Sequence, residues 1–123
     1  MTEAAIKKKV LLVEDDKAIQ QLLAAMLQLE GYEVFTADHG LKAIEILQKD
    51  SVDIIVCDMM MPYMDGMRFI RWVREDQKMT LPVMVLTSVH DEKVREEIFK
   101  AGATDIVYKP VALTTLCEKL KSL

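Results

Sequence analysis

Glu14, Asp15, Asp58, Thr87 and Lys109 are the residues of this chain whose types and placement suit chemistry at phosphorus, each standing at the end of a short apolar run. Two like charges about 4 Å apart at an effective dielectric near 20 repel by about 4 kcal/mol. Clustered carboxylates therefore demand more positive charge than Lys109 alone supplies. A hard divalent cation meets the demand, because the set offers oxygen donors with no sulfur or imidazole, as Mg2+ prefers, with Mn2+ as a substitute. A carboxylate is ionised at neutral pH without a separate base. Held beside such an ion, an ammonium and a hydroxyl, it can act as a nucleophile and carry an aspartyl phosphate. The ammonium and the Thr87 hydroxyl would then serve the equatorial oxygens during in-line transfer.

Each residue alone has a plainer reading. An aspartate after a strand is commonly a helix N-cap, which is how Asp16 and Asp65 are read. Thr87 alone is a turn residue and Lys109 alone a solvated lysine. Coincidence at four strand ends is what singles them out.

The elements that must position them are legible as period. Apolar, β-branched runs occur at 9–13 (KVLLV), 32–37 (YEVFTA), 53–57 (DIIVC), 82–87 (PVMVLT) and 105–109 (DIVYK). Runs one, three and four are almost continuously apolar, as parallel strands covered on both faces must be, whereas Glu33 and Thr36 mark the second as an edge. Between them lie helical spacings: Ile19, Leu22, Leu23, Met26 and Leu27, with Gly31 as a stop; Ile44 and Leu47; Phe69, Ile70 and Val73 behind Asp65; Val94 and Ile98 between Asp91 and Gly102; then Leu113, Leu116, Cys117 and Leu120. Five βα units in alternation predict an α/β fold, a parallel sheet with helices on both faces. Ligands of such sheets bind beyond the carboxyl ends of the strands.

Composition narrows the alternatives. Hydrophobic residues make up 51% and charged residues 29%, with net charge −4 and pI near 5.2, and the lysines and arginines form no stripe, which argues against nucleic-acid binding by this chain alone. Lys7, Lys8 and Lys9 are read as a solvated strand entrance. No apolar run approaches membrane-spanning length, so a cytoplasmic location is expected by default. Cys57 and Cys117 form no metal or redox motif and are read as core. Met59, Met60 and Met61 are read as packing, and His39 and His90 as solvated. Trp72 and Tyr63 are left as either surface anchors or core.

With "KVLLVEDD", "DIIVCDMMMPYMDG", "VMVLTS" and "YKP" each after the appropriate strand, the chain resembles the receiver domains of two-component response regulators across nearly its whole length. The resemblance implies a flavodoxin-like (βα)5 doubly wound sandwich with strand order 2-1-3-4-5, residues 1–123 forming a single receiver domain with no effector domain. It implies Asp58 as phosphoacceptor, with Pro62 and Gly66 behind it. Asp15 would hold Mg2+ directly and Glu14 through water, with Asp58 and the Met60 backbone carbonyl as further ligands. It also implies Thr87 as the switch hydroxyl, Lys109 as the phosphate-binding lysine and a Lys109-Pro110 bond that is often cis. The implied partners are a histidine kinase or histidine phosphotransfer protein and a downstream protein target, the chain being a monomer or weak dimer that catalyses only its own phosphorylation and dephosphorylation.

Two departures from the family pattern matter. The usual aromatic three positions before the lysine is Ile106, and Tyr108 stands next to the lysine on the same strand face, leaving either as the switch position. Val111 follows Lys109-Pro110 where an aromatic is common. Met60 and Val89, two residues beyond Asp58 and Thr87, flank the water path in this fold and can exclude water without activating it, which predicts slow self-dephosphorylation. The rivals are a Mg2+-dependent phosphohydrolase, which would want a second acid where Met60 stands, and a nucleotide or flavin carrier, for which "VEDD" replaces the needed glycine-rich loop. A receiver that is never phosphorylated is the remaining rival.

Overall fold

The computed structural model describes residues 7–60 and 64–123. Strand β1 (Lys9–Val13) leads to α1 (Lys17–Leu29), β2 (Glu33–Ala37), α2 (Gly40–Lys49), β3 (Ile54–Asp58) and α3 (Gly66–Arg71). After α3 the chain continues as a π-helical stretch (Trp72–Asp76), then β4 (Val83–Thr87), α4 (Glu92–Ala101), β5 (Asp105–Tyr108) and α5 (Leu113–Lys121). All five strands pair in parallel in the order β2-β1-β3-β4-β5. The expected architecture and order are both present, with β2 at an edge.

Strand alternation divides the core into two layers, because successive side chains point to opposite faces. On one face Val10, Leu12, Ile54, Val56, Met84, Leu86 and Val107 pack with Leu23 and Leu27 of α1 and Leu116 and Leu120 of α5. On the other, Leu11, Val13, Ile55, Cys57, Val83, Val85 and Ile106 pack with Ala43 and Leu47 of α2, Phe69 and Ile70 of α3, and Ile98 of α4. Cys57 and Cys117 are both buried, and burial pushes both thiols up, as inert core cysteines require.

The helix starts follow from side-chain caps, which satisfy amides that have no partner in the first turn. Asp16 accepts from Ile19 N at 3.1 Å, Asp65 from Arg68 N at 2.9 Å, and Asp91 from Lys93 N at 2.8 Å and Val94 N at 3.2 Å. Gly31 (φ +98°) and Gly102 (φ +120°) follow α1 and α4 in backbone conformations that a Cβ would strain.

Three expectations need correction. His39 is no idle solvated histidine: its Nδ1 accepts from Lys42 N at 3.2 Å and caps α2. His90 is exposed as expected, with one ring face stacked on Tyr108. On α1 the buried stripe is Gln20, Leu23 and Leu27, while Ile19 and Leu22 are 37% and 59% exposed. Apolar residues spaced for one face exceeded the width of the sheet's contact, and the stripe is centred elsewhere. Trp72 is half-buried, stacked near-parallel to Phe69 with centroids 6.4 Å apart. Met59 packs half-buried against the core, whereas Met60 is 76% exposed rather than packed. Met61, Pro62 and Tyr63 lie outside the described residues. No helix among the described residues is long and apolar enough to cross a membrane.

Candidate functional site

β1 and β3 are hydrogen-bonded neighbours, with Val13 opposite Cys57. The next residue on each strand, Glu14 and Asp58, therefore reaches the same edge of the sheet. Asp58 is the last residue of β3 rather than the first after it, and is only 3% exposed. Glu14 is 1% exposed, held by its backbone N–H donating to Ala37 O at 3.0 Å. Exposed Asp15 completes the group, and a carboxylate oxygen from each of the three lies within 4.8 Å of the others. Two strands away, Lys109 extends from the end of β5 with its Nζ 2.9 Å from Asp58 Oδ2 and 3.7 Å from Glu14 Oε1. Its backbone N–H donates to Thr87 O at 2.8 Å, which ties the ends of β4 and β5 together. The Lys109–Pro110 bond is cis.

The carboxylates outnumber the one ammonium at the site. Glu14 Oε1 is buried with no hydrogen-bond donor, since Lys109 Nζ at 3.7 Å is an ionic neighbour only. The Glu14 carboxyl is raised to about 7 in all: burial is the largest cause, the Asp16 N–H lowers it, the hydrogen bond and charge of Asp58 raise it, and Lys109 lowers it. For Lys109, burial pulls the ammonium down, but the hydrogen bond to Asp58 and the charges of Asp58, Glu14 and Asp15 outweigh it and hold the group above its ordinary value. Three carboxylates facing one ammonium, with one buried oxygen unpartnered, form a donor set that suits a hard cation.

Asp58 itself is fixed from several sides. Its Oδ1 accepts from Met60 N at 3.4 Å, and the Met59 carbonyl accepts from Gly66 N at 2.9 Å. A Cβ at Gly66 would meet Asp58 O at 2.8 Å and Met59 Cα at 2.9 Å, both backbone atoms that cannot yield. The Asp-Gly of "DIIVCDMMMPYMDG" is thus both a helix start and the close support of the carboxylate strand. Thr87, at the end of β4 and only 3% exposed, turns its Oγ1 to its own loop and accepts from Val89 N at 3.1 Å. Met60 and Val89 line a groove of about 500 Å³ with Met59 and Thr87. Ile106 is buried on the inner face, and Tyr108 packs half-buried at the edge of the same layer.

One contributor escaped the sequence reading. Gln20, buried in α1, donates through Nε2 to Glu14 O at 2.9 Å, Ala37 O at 3.3 Å and Asp38 Oδ1 at 3.0 Å. Its signal was available, since Gln20, Leu23 and Leu27 stand at i, i+3 and i+7, and a polar residue on a buried stripe must have partners.

Comparison with known proteins agrees with this architecture. The family model of the response regulator receiver domain matches residues 10–121. The response regulator MprA of Mycobacterium leprae is 36% identical over 115 residues, covering 94% of this chain and 50% of that protein. The chain thus spans about half the length of the curated relatives it matches. Among solved structures, the chemotaxis response regulator CheY4 of Vibrio cholerae superposes with a TM-score of 0.89 at 36% identity, covering 95% of this chain and 98% of that one. The receiver domain of the Francisella response regulator 1452 gives 0.89 at 29%, covering 94% and 95%. The matched family and the carboxylate, lysine and threonine at the carboxyl edge of a 2-1-3-4-5 sheet lead to one conclusion: the chain belongs to the response regulator receiver domains of two-component systems.

Proposed function

We propose that the chain accepts a phosphoryl group from a phosphohistidine onto Asp58 and carries it as a signal. The observation that supports this most is the buried, unpartnered Glu14 Oε1 beside Asp15, Asp58 and Lys109, a site short of one cation and built of hard oxygens. Glu14, Asp15, Asp58 and the Met60 carbonyl would hold Mg2+, or Mn2+ in its place, which when bound supplies charge neutralisation for the transferred group. An Asp58 carboxylate oxygen attacks phosphorus as the donor's N–P bond breaks, and the donor imidazole departs with a proton from solvent. Lys109, already beside Asp58, stays with the new dianion, and the Thr87 hydroxyl turns to donate to one of its oxygens.

The partners follow from the same reading. A histidine kinase or histidine phosphotransfer protein donates the group, and a downstream protein reads the altered surface, with no role for nucleic acid or membrane in this chain alone. Exposed Ile19 and Leu22 on α1 line a groove of about 530 Å³ with Pro110, Val111 and Lys109. Because Lys109 belongs to both groove and acidic site, the groove suits the apolar face of the helix that presents the donor histidine. Residues 1–123 act as one receiver unit, monomeric or weakly dimeric and cytoplasmic, that turns over no external substrate.

Met60 and Val89 present a thioether and an isopropyl group at the mouth of the site, and neither activates water. The phosphoryl group is therefore retained, with a half-life on the order of hours. Acetyl phosphate with Mg2+ should add one phosphoryl group to the wild type and none to Asp58→Asn, read as intact mass. Equal labelling of both would discard Asp58 as acceptor, and loss of the label within a minute would discard the slow hydrolysis.

A further inference from the structure

α1 carries more apolar surface than the sheet covers. From Ala18 to Leu29 it holds no charged residue, in a chain that is 29% charged overall. By contrast α4, which also turns one face to solvent, carries Glu92, Lys93, Arg95, Glu96, Glu97 and Lys100. Gln20, Leu23 and Leu27 are the buried residues of α1. Ile19, Leu22, Met26 and Leu29 form a second stripe about 80° wide, turned about 110° from the first. Ile19, Leu22 and Leu29 are 37%, 59% and 87% exposed, and half-buried Met26 packs with neither core layer among the described residues. Exposed Ala18 and Ala25 flank the stripe, with exposed Gln21 and Gln28 beyond them. A large apolar centre, small flanks and an uncharged polar rim are the composition of an interface core rather than of a solvated helix face.

The spacing indicates what fits the stripe. Steps of three, four and three residues read the same in both chain directions and match the apolar seam of a coiled coil. A two-fold contact needs that property, because each patch meets its own copy reversed. Antiparallel copies set Ile19 opposite Leu29 and Leu22 opposite Met26. The lack of charge removes the like-charge repulsion that a self-contact would otherwise meet. Electrostatics also choose the direction. α1 starts at the acidic edge, where Asp16 caps it beside Glu14 and Asp15. Parallel copies would bring two acidic clusters together, whereas antiparallel copies hold them about 20 Å apart, well beyond the ~8 Å screening length of physiological salt. The groove assigned above to the donor helix does not account for the whole stripe. On α1 that groove reaches only Ile19, Leu22 and Leu23, while Leu29 stands about 15 Å along the axis from Ile19.

We propose that α1 pairs antiparallel with α1 of a second copy of this chain through Ile19, Leu22, Met26 and Leu29, forming a weak two-fold dimer. A copy seated there covers Ile19 and Leu22, so a paired chain cannot offer its groove to a donor helix. That consequence rests on the phosphoacceptor reading, whereas the pairing itself does not.

Sedimentation equilibrium from micromolar to millimolar protein provides the test. The weight-average mass of the wild type should climb from 14.0 kDa toward twice that value. Leu29→Glu, which lies outside the donor groove, and Ile19→Lys should each weaken association by at least about 10-fold, since each buries an unpaired charge at the contact. Mixed in equal amounts, the two variants should recover the dimer, because the antiparallel register sets the introduced ammonium against the introduced carboxylate and leaves the second contact native. Recovery on mixing also shows that both variants fold. A wild type that stays monomeric at millimolar concentration leaves the stripe to the donor helix and overturns the pairing. So does a dimer that survives Leu29→Glu, or a mixture that stays monomeric. Acetyl phosphate labelling of Asp58 needs no contact on α1 and tests the acceptor separately: were it to fail while the dimer is lost in Leu29→Glu and recovered on mixing, the acceptor reading would fall and the pairing would stand.

Discussion

Two polar clusters sit at opposite ends of the same sheet and handle charge in opposite ways. Where β4 and β5 begin, Arg74 of the π-helical stretch donates Nε to Gly102 O at 2.9 Å, Nη1 to Met79 O at 2.9 Å and Leu81 O at 2.6 Å, and Nη2 to Thr104 Oγ1 at 3.4 Å. Every group there has a partner, and the Arg74 stem packs over Gly102, where a Cβ would meet Arg74 Cγ at 2.5 Å. Where β1 and β3 end, three carboxylates share one lysine and a buried oxygen has no donor. A satisfied cluster contributes stability, whereas an unsatisfied one stores a demand that a ligand can meet. The difference teaches which of the two charge clusters is structural and which is functional, without reference to any relative.

The contrast can be broken most forcefully at its structural end. Arg74→Ala leaves three carbonyls short of a donor and should lower unfolding free energy by about 2–4 kcal/mol in urea, with Mg2+ affinity changed by no more than about twofold. Collapse of Mg2+ binding in that variant would erase the distinction between the two ends. At the functional end the sign reverses. The folded-state pKa of Glu14, raised to about 7 against an ordinary 4.5, means that the folded protein holds this proton more tightly than the unfolded chain does. That stability is full below about pH 4.5 and is lost as pH rises through 7. In chelator, wild type should therefore lose about 1–3 kcal/mol between pH 5 and pH 8, Glu14→Gln should show a flat profile, and Mg2+ at pH 8 should restore the wild type. A flat wild-type profile would show that the carboxylate cluster carries no such strain.

Gln20 sharpens the comparison because it is a satisfied group inside the unsatisfied site. Gln20→Ala should destabilise by about 1–2 kcal/mol and weaken Mg2+ by up to about tenfold, since Glu14 loses the tether on its carbonyl. Thermal melts and Mg2+ titration read the two effects separately, and an effect on stability alone would make Gln20 purely structural. The smallest change is expected at the exposed pair of Lys17 and Asp38, 2.9 Å apart. Lys17 holds the Asp38 carboxyl below its usual range, with Gln20 assisting. Solvent screening nevertheless limits Lys17→Ala to about 0.5 kcal/mol or less, and a larger loss would show that exposure is a poor guide to charge energetics here.

Much of this was legible before any coordinates. Asp16, Asp65 and Asp91 announced helix starts because a short acceptor side chain before an apolar periodic segment has few other uses. Runs one, three and four announced a covered parallel sheet, and the residues behind them announced the site. Histidines and arginines were less readable. His39 as a cap, His90 on Tyr108 and Arg74 as a clamp depend on groups brought from 3 to 30 positions away, and nothing in their local spacing distinguishes them from solvated side chains. The apolar spacing of α1 likewise showed a face too wide, since Ile19 and Leu22 satisfy the helical period while the sheet reaches only Leu23 and Leu27.

By itself, the order of residues determined the alternation of strands and helices, the parallel sheet, and which side chains would arrive at its carboxyl edge, because period and polarity act within a few residues. Only the tertiary structure decided that Glu14 would be buried with an unpartnered oxygen, that Lys109 would lie within hydrogen-bonding distance of Asp58, and that His90 would settle on Tyr108. Those outcomes are sums of desolvation and charge over groups distant in the chain, and such sums exist only once the strands are side by side.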